Sequence, residues 1–198
     1  MLTSDFSWKL VAERIARSPR YFVNDYHYFV WPYKGIEAIE SNHLDIITDL
    51  LAKHVPKNTD LLMSFMTDGA LLAVPVAIKL GLPVCIWRDY HYEMKDALTC
   101  SQVTGYYSRQ LYCCKPHDGA RICLLDAILS TGGTITAASK SLSEIATVVS
   151  VVVAAEKEKF GGRELVRNEV GVDPVAVFNV DIANEAIRVR FGSNLIEG

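Results

Sequence analysis

The sequence lacks several features that would place it in a specialised class of protein. Its five cysteines are an odd number and none forms a Cys-x-x-Cys pair, which argues against a disulfide framework or a zinc ribbon. No stretch approaches the ~18 apolar residues of a membrane-spanning helix, and no apolar leader opens the chain. A net charge of -3 predicts no positive electrostatic potential that would attract nucleic acid. We therefore expect a reduced, cytoplasmic protein that binds neither membrane nor nucleic acid.

The length and composition predict one compact domain. Half of the 198 residues are apolar, which is enough to bury a sizeable core. Two amphipathic helices, around residues 8–15 and 42–51, flank an unusually aromatic segment, residues 21–33. That segment is predicted to be either a strand or a cap over a pocket. Its rings either stack on a planar ligand or belong to the core or a dimer interface. We divide the domain, residues 1–198, into an N-terminal cap (1–41) and a core (42–198).

From residue 61 onward, strand and helix patterns alternate. Short apolar runs at 61–66, 83–87, 106–114, 122–125, 148–154 and 175–180 predict strands, and the segments 69–80, 133–145 and 164–168 predict helices. Strands that are apolar on both faces and alternate with helices indicate a parallel sheet covered on two sides. The fold class is therefore α/β, with a parallel sheet of about five strands flanked by helices.

The most informative segment joins a buried strand to a helix at residues 126–134, here called the anion turn. An acid, Asp126, ends the strand, and two glycines then let the backbone turn so that successive N–H groups converge on one point. The helix start adds positive partial charge, and nearby hydroxyl groups add donors. The alternative is an ordinary strand-to-helix connection with a threonine N-cap. The residues assigned to the anion site are Ser130, Thr131, Gly132, Gly133 and Thr134.

Three stretches of the chain resemble the type I phosphoribosyltransferase family. Residues 124–134 read LLDAILSTGGT, similar to the phosphoribosyl pyrophosphate (PRPP) motif of that family. Residues 64–70 (SFMTDGA) with 76–84 (VAIKLGLPV) resemble the pyrophosphate loop, helix and strand of adenine and xanthine members. Residues 155–157 (AEK) and 162–165 (GREL) resemble the xanthine members and a purine-operon repressor of the same fold. The resemblance covers most of the chain from about residue 42, and it implies the same α/β fold with a mobile lid at 89–105.

The resemblance implies an activity and a set of site residues. The activity is transfer of a phosphoribosyl group from PRPP to a purine or purine-like base, with Mg²⁺ carried mainly by the substrate and no dedicated protein metal site. A homodimer is expected. By similarity, the anion turn binds the 5-phosphate, and Asp126 orients a ribose hydroxyl and, with Tyr106, is a candidate catalytic residue. Pyrophosphate is assigned to Thr67, Asp68, Gly69 and Arg88, and the base to Leu129, Glu156 and Lys157.

The assignments of Arg88 and of Glu156 with Lys157 each have a simpler alternative. Arg88 follows a buried strand. We expect it either to reach a phosphate bound in its own or a neighbouring subunit, or to be a solvated residue at the end of the strand. Glu156 and Lys157 follow the strand at 148–154, where open α/β sheets bind ligands, but a surface ion pair explains them equally well.

Three departures from the family pattern keep other functions open. Ala127 stands where most members have a second acid, Gly105 precedes Tyr106 where adenine-type members have glutamate, and Asp68 replaces a loop arginine. Asp68 would repel pyrophosphate unless a metal lies between them. These changes favour, as alternatives, a nucleoside 5-monophosphate hydrolase or base-exchange enzyme, or a non-catalytic sensor of PRPP or a nucleotide.

Overall fold

A single mixed sheet organises the molecule. The computed structural model describes residues 7–23, 26–91, 93–103, 108–183 and 186–197. Within these residues the strands, in chain order, are β1 Arg20–Val23, β2 Tyr26–Phe29, β3 Leu61–Phe65, β4 Val84–Trp87, β5 Ala97–Val103, β6 Ser108–Cys114, β7 Arg121–Leu129, β8 Thr147–Glu156, β9 Val175–Ala183, β10 Ala186–Phe191 and β11 Asn194–Glu197. The main sheet has the order β11-β10-β9-β8-β7-β3-β4, and β1-β2 and β5-β6 are separate antiparallel pairs.

Helices cover both faces of this sheet. The helices of the described residues are α1 Trp8–Ala16, α2 Ser41–Ala52, α3 Asp68–Leu80, α4 Gly133–Leu142 and α5 Gly162–Val170, with a short 3₁₀ helix at Glu158–Phe160. Along β7, Cys123 and Leu125 belong to one apolar cluster, and Ile122 and Leu124 belong to the other. Because successive side chains of a strand point to opposite faces of the sheet, a continuously apolar strand contributes to the apolar cores on both faces.

The predicted architecture is confirmed and extended. Strands β9, β8, β7, β3 and β4 run parallel, as the alternation of strands and helices predicted. Two further strands, β10 and β11, continue the sheet antiparallel beyond β9. The polar stretch after Arg88 also contains β5, which pairs with β6 to form a hairpin. No helix in the described residues is long and apolar enough to cross a membrane.

The N-terminal region packs onto the far edge of the sheet. Helix α1 lies against β10 and α2. The ring of Trp8 stacks on that of Phe191, with centroids 4.8 Å apart. The aromatic segment forms the β1-β2 hairpin and then a turn, and its Phe29, Trp31 and Tyr33 are buried in the same apolar cluster as α1. The segment is thus partly strand and partly core, and its residues 28–31 also line the cavity described below.

Candidate active site

The anion turn joins β7 to α4. Its residues 126–129 are the last four of β7, so the strand does not end before Asp126 as the sequence predicted. Gly132 has a φ of 78°, in the left-handed region that glycine enters without strain, and its carbonyl accepts the N–H of Thr136 at 3.0 Å. The first N–H groups of a helix have no partner within the helix, and the helix dipole adds positive partial charge there. The turn therefore has the backbone geometry that anion binding requires.

The anion turn sits directly on the start of α5. A Cβ atom placed on Gly162 would lie 2.1 Å from the carbonyl oxygen of Ser130, and one on Gly132 would lie 2.8 Å from the carbonyl oxygen of Gly162. No side chain fits at either position without moving backbone. The two glycines therefore fix the turn against a neighbouring helix.

The carboxyl group of Asp126 lies beside the loop at residues 67–69. A Cβ atom on Gly69 would come within 2.6 Å of Asp126 Oδ1 and 2.7 Å of the buried Ser64 Oγ. Burial raises the pKa of Asp126 to about 7, although a hydrogen bond from the Ala127 N–H to Oδ1, 2.7 Å long, opposes the rise. The nearby Asp68 raises this pKa further. Gly69 is thus the residue that lets the loop approach the end of β7.

The loop at 67–69 leads from β3 into α3, and one cationic side chain contacts the loop while another contacts the residue before it. The peptide bond between Met66 and Thr67 is cis. Lys34 Nζ donates to Asp68 Oδ2 at 2.9 Å. Arg109 on β6 donates through Nη2 to the Met66 carbonyl at 3.1 Å, and through Nε to Gln102 Oε1 at 2.6 Å. Residues far apart in the sequence therefore meet around this loop.

Lys157 follows the last residue of β8 and lies among aromatic rings. Its backbone N–H donates to the Leu129 carbonyl at 2.8 Å, which ties the end of β8 to the start of the anion turn. The side chain is only 6% exposed, and Nζ lies 5.6 Å from the ring centroid of Phe29 and 5.3 Å from that of Phe160. Contacts of this kind stabilise an ammonium group in a mostly apolar setting.

These parts surround one cavity of about 670 Å³. This volume is within the usual range of small-molecule sites. Of the predicted site residues, the structure brings to the cavity Thr67, Asp68, Gly69, Asp126, Leu129, Ser130, Thr131, Gly132, Gly133, Thr134 and Lys157. The sequence analysis did not single out Lys34, Gln102 or Arg109 for this site, and all three line it.

Two predicted residues lie elsewhere, and one cannot be placed. Arg88 is exposed and outside the cavity lining, and its backbone forms a bridge with Tyr112 at the edge of the sheet. Glu156 is 3% exposed and also outside the lining, because its carboxylate accepts hydrogen bonds from the Arg163 guanidinium. The carboxylate of Glu156 is thus occupied by an ion pair with a residue of the first turn of α5, and its assignment to the base stays a prediction. Tyr106 lies outside the described residues.

The carboxylates of the site are few. In the part of the chain that the structure describes, no group of three or more His, Cys, Asp or Glu residues is placed to hold a metal ion. The cavity presents the separate acids Asp68 and Asp126, together with hydroxyl groups of the anion turn. Mg²⁺ commonly binds through one or two carboxylates and substrate phosphates while keeping several waters. The donor set therefore fits a magnesium ion that arrives with a phosphorylated substrate.

Comparison with known proteins identifies the family. The chain is 30% identical over 172 residues to a hypoxanthine/guanine phosphoribosyltransferase of Methanohalobium evestigatum, covering 86% of this chain and 90% of the relative. It is 32% identical over 164 residues to HGPRTase-like protein 2 of Halalkalicoccus jeotgali, covering 80% and 84%. No protein-family model matches the chain.

A solved structure shares the fold. The adenine phosphoribosyltransferase of Thermoanaerobacter pseudethanolicus superposes with a TM-score of 0.70 at 20% identity, covering 85% of this chain and 97% of that one. The sequence relatives, the shared fold and the anion turn agree. The chain belongs to the type I phosphoribosyltransferase family.

Proposed function

We propose that the protein transfers the phosphoribosyl group of PRPP to a ring nitrogen of a 6-oxopurine such as hypoxanthine or guanine. The bond between ribose C1 and the pyrophosphate oxygen breaks, and a bond between C1 and the base nitrogen forms. Pyrophosphate leaves, and the attacking nitrogen loses its proton. The observation that carries the proposal is the single cavity that combines the anion turn, Asp126 and the ammonium group of Lys157.

The anion turn supports binding of the 5-phosphate. Its backbone N–H groups and the hydroxyl groups of Ser130, Thr131 and Thr134 supply donors at the start of α4. Asp126 lies at the same edge of the sheet, within reach of a sugar attached to that phosphate, and accepts hydrogen bonds from ribose hydroxyls. Burial raises the pKa of Asp126 to about 7, and hydrogen bonds from ribose hydroxyls to the carboxylate would lower it again.

Lys157 supports a 6-oxopurine rather than adenine. An ammonium group donates hydrogen bonds and accepts none. The oxygen at position 6 of hypoxanthine or guanine accepts such a bond, whereas the amino group of adenine is itself a donor and would oppose the charge. Leu129 supplies an apolar surface for the ring, and the buried Phe29 and Trp31 lie across the same cavity. The names of the sequence relatives agree with this preference.

The loop at 67–69 supports the leaving group. Thr67, Asp68 and Gly69 line the cavity, and the pyrophosphate assignment of this loop stays a proposal. The contribution of Arg88, from its own or a neighbouring subunit, and the catalytic role of Tyr106 also stay predictions. A magnesium ion that arrives with PRPP would neutralise charge on the departing pyrophosphate.

We also propose a cytoplasmic homodimer. The exposed face of α3 carries Leu71, Val74 and Ile78, which are 38%, 42% and 78% exposed, and Ile36 beside it is 74% exposed. Apolar side chains grouped on one surface are typical of an interface between protein chains. All five cysteines are free thiols, which agrees with a reducing compartment.

The proposal is tested by steady-state kinetics with PRPP, Mg²⁺ and each of hypoxanthine, guanine, xanthine and adenine. We expect kcat/KM for a 6-oxopurine to exceed that for adenine by about 100-fold or more. Lys157→Met should lower kcat/KM for the preferred 6-oxopurine by a similar factor, because methionine keeps roughly the length of the side chain and removes the hydrogen-bond donor. Lys115→Met, which changes an exposed lysine outside the cavity lining, is the matched control.

Two outcomes would contradict the proposal. Turnover of a nucleoside monophosphate without pyrophosphate would favour a hydrolase. Binding of PRPP or a nucleotide, seen as thermal stabilisation, with no turnover of any base would indicate a sensor.

A further inference from the structure

The loop at 67–69 presents an acid to the end of the cavity that we assign to pyrophosphate. The side chain of Asp68 is 22% exposed and lines the cavity in the first turn of α3. Pyrophosphate carries several negative charges, so an unpaired carboxylate at this position would repel it. The loop itself, with Thr67 and Gly69 on either side, contains no cation. A positive group has to come from another part of the chain.

Lys34 meets this requirement. Its Nζ lies 2.9 Å from Asp68 Oδ2, and its side chain, 40% exposed, lines the same cavity. The residue lies in the turn that follows β2, far from the loop in sequence, so the contact exists only in the folded protein. An ammonium group has three N–H donors. The bond to Asp68 uses one of them and leaves capacity for phosphate oxygens.

Arg109 plays a different part at the same loop. Its guanidinium is held by the Met66 carbonyl, by Gln102 and by Asp89, whose Oδ2 lies 3.0 Å from Nη1. These contacts fix the loop against the β5-β6 hairpin. Lys34, by contrast, pairs only with Asp68 within the described residues, and its side chain is 40% exposed. It is therefore the cation at this loop that can follow a ligand.

We propose that Lys34 is a pyrophosphate-binding residue and that Asp68 holds its ammonium group at the loop. The positive charge at the loop is then supplied by Lys34, a residue that precedes the core in sequence. This inference rests on the proposed function and adds a residue to it. Because Lys34 belongs to the same short segment as Phe29 and Trp31, one element contributes to both the base end and the leaving-group end of the cavity.

The test measures binding of magnesium pyrophosphate, PRPP and GMP to the purified protein by isothermal titration calorimetry. Lys34→Ala should weaken binding of pyrophosphate and PRPP by about tenfold or more, because it removes a charge-assisted contact. Binding of GMP, which has no pyrophosphate group, should be unchanged. Lys34→Arg should bind all three ligands nearly as the wild type does. Lys57→Ala, at an exposed lysine outside the cavity, is the matched control.

A second variant separates ligand binding from a purely structural ion pair. In the double variant K34A/D68K a lysine stands on the loop itself, and we expect pyrophosphate binding to recover most of what Lys34→Ala loses. The double variant K34A/D68N removes the acid without adding a cation, and if only the repulsion by Asp68 mattered, it would recover as much pyrophosphate binding as K34A/D68K. Circular dichroism and thermal unfolding check that each variant is folded.

The inference and the proposed function fail in different ways. Equal binding of pyrophosphate by Lys34→Ala and the wild type overturns the inference alone, and so does an equal loss of pyrophosphate and GMP binding in Lys34→Ala. If the wild type binds neither PRPP nor pyrophosphate, the proposed function fails and the inference fails with it.

Discussion

The two ends of the cavity are built in different ways. The anion turn is one continuous segment, and its chemistry comes mostly from backbone groups that any sequence with the same glycines would present. The other end collects Lys34 from the cap, the 67–69 loop from between β3 and α3, and Arg109 from β6. A local site of the first kind depends on backbone conformation, whereas one of the second kind depends on tertiary packing. A substitution that changes only the backbone conformation of the anion turn, or only the tertiary packing around the 67–69 loop, therefore tests one of the two parts by itself.

The largest effect is expected at the anion turn. Gly132→Ala forces a side chain into the left-handed region and against the Gly162 carbonyl, so kcat/KM should fall by about 100-fold or more. Gly171→Ala is the matched control, because Gly171 has a φ of 80° with nothing within 4 Å of an added Cβ. It should cost only about 1–2 kcal/mol of stability. Similar kcat/KM values for the two variants would show that the shape of the turn does not matter.

The next effect concerns Asp126, where activity and stability should change in opposite directions. Asp126→Asn should lower kcat/KM by about 10- to 100-fold, because the amide binds ribose hydroxyls less strongly than a carboxylate.

The pH dependence of stability has a definite sign. The folded-state pKa of about 7 lies above the ordinary value of 3.8, so the folded protein binds the proton more tightly between these values. Stability therefore falls as pH rises through this window. The free energy of unfolding of Asp126→Asn, relative to that of the wild type, should rise by up to about 4 kcal/mol from pH 4 to pH 8, measured by urea unfolding. An equal stability difference at both pH values would contradict the raised pKa.

A smaller effect is expected at Arg109. Arg109→Lys keeps the charge but loses the fork that bonds Met66, Gln102 and Asp89 together, so KM for PRPP should rise about tenfold. The same exchange at Arg188, which pairs with Glu197 on an exposed edge, should leave KM unchanged. If KM for the base rises and KM for PRPP does not, then Arg109 acts on binding of the base and not of pyrophosphate.

The smallest effect on activity is expected at Glu156. Glu156→Gln weakens the ion pair with Arg163 and should cost about 1–3 kcal/mol of stability, read by thermal unfolding. Because the carboxylate lies outside the cavity, the ratio of kcat/KM values for hypoxanthine and guanine should change by less than about twofold. A larger change in that ratio would support the contact with the base that the sequence predicts for Glu156.

The sequence predicted what depends on local pattern. The parallel strands were recognisable because β7 and β8 are apolar on both faces, and the anion turn because glycines and hydroxyl residues follow Asp126. Strands β10 and β11 escaped prediction, because they follow a strand that already ended the alternating pattern of strands and helices. Strand β5 was hidden in a stretch that is mostly polar.

The site was less predictable where it depends on distant pairs. Lys34 lies among ordinary turn residues, and only its contact with Asp68 distinguishes it. The unusual acid in the loop was the available signal, since a carboxylate facing a phosphate site requires a partner. Glu156 and Lys157 are neighbours at the end of β8, yet only Lys157 lines the cavity. Residues at the carboxyl ends of strands include both ligand contacts and their supports, and sequence position does not distinguish them.

The stacking of Trp8 on Phe191 has a consequence for the order of assembly. The two rings lie near opposite ends of the described chain, so their contact closes a very long loop. Parallel strands with intervening helices involve shorter closures and form without it. We therefore expect helix α1, although it is synthesised before the sheet, to dock only after β10 has joined β9. We accordingly expect the cavity wall that Phe29, Trp31 and Lys34 provide to be completed after the parallel sheet.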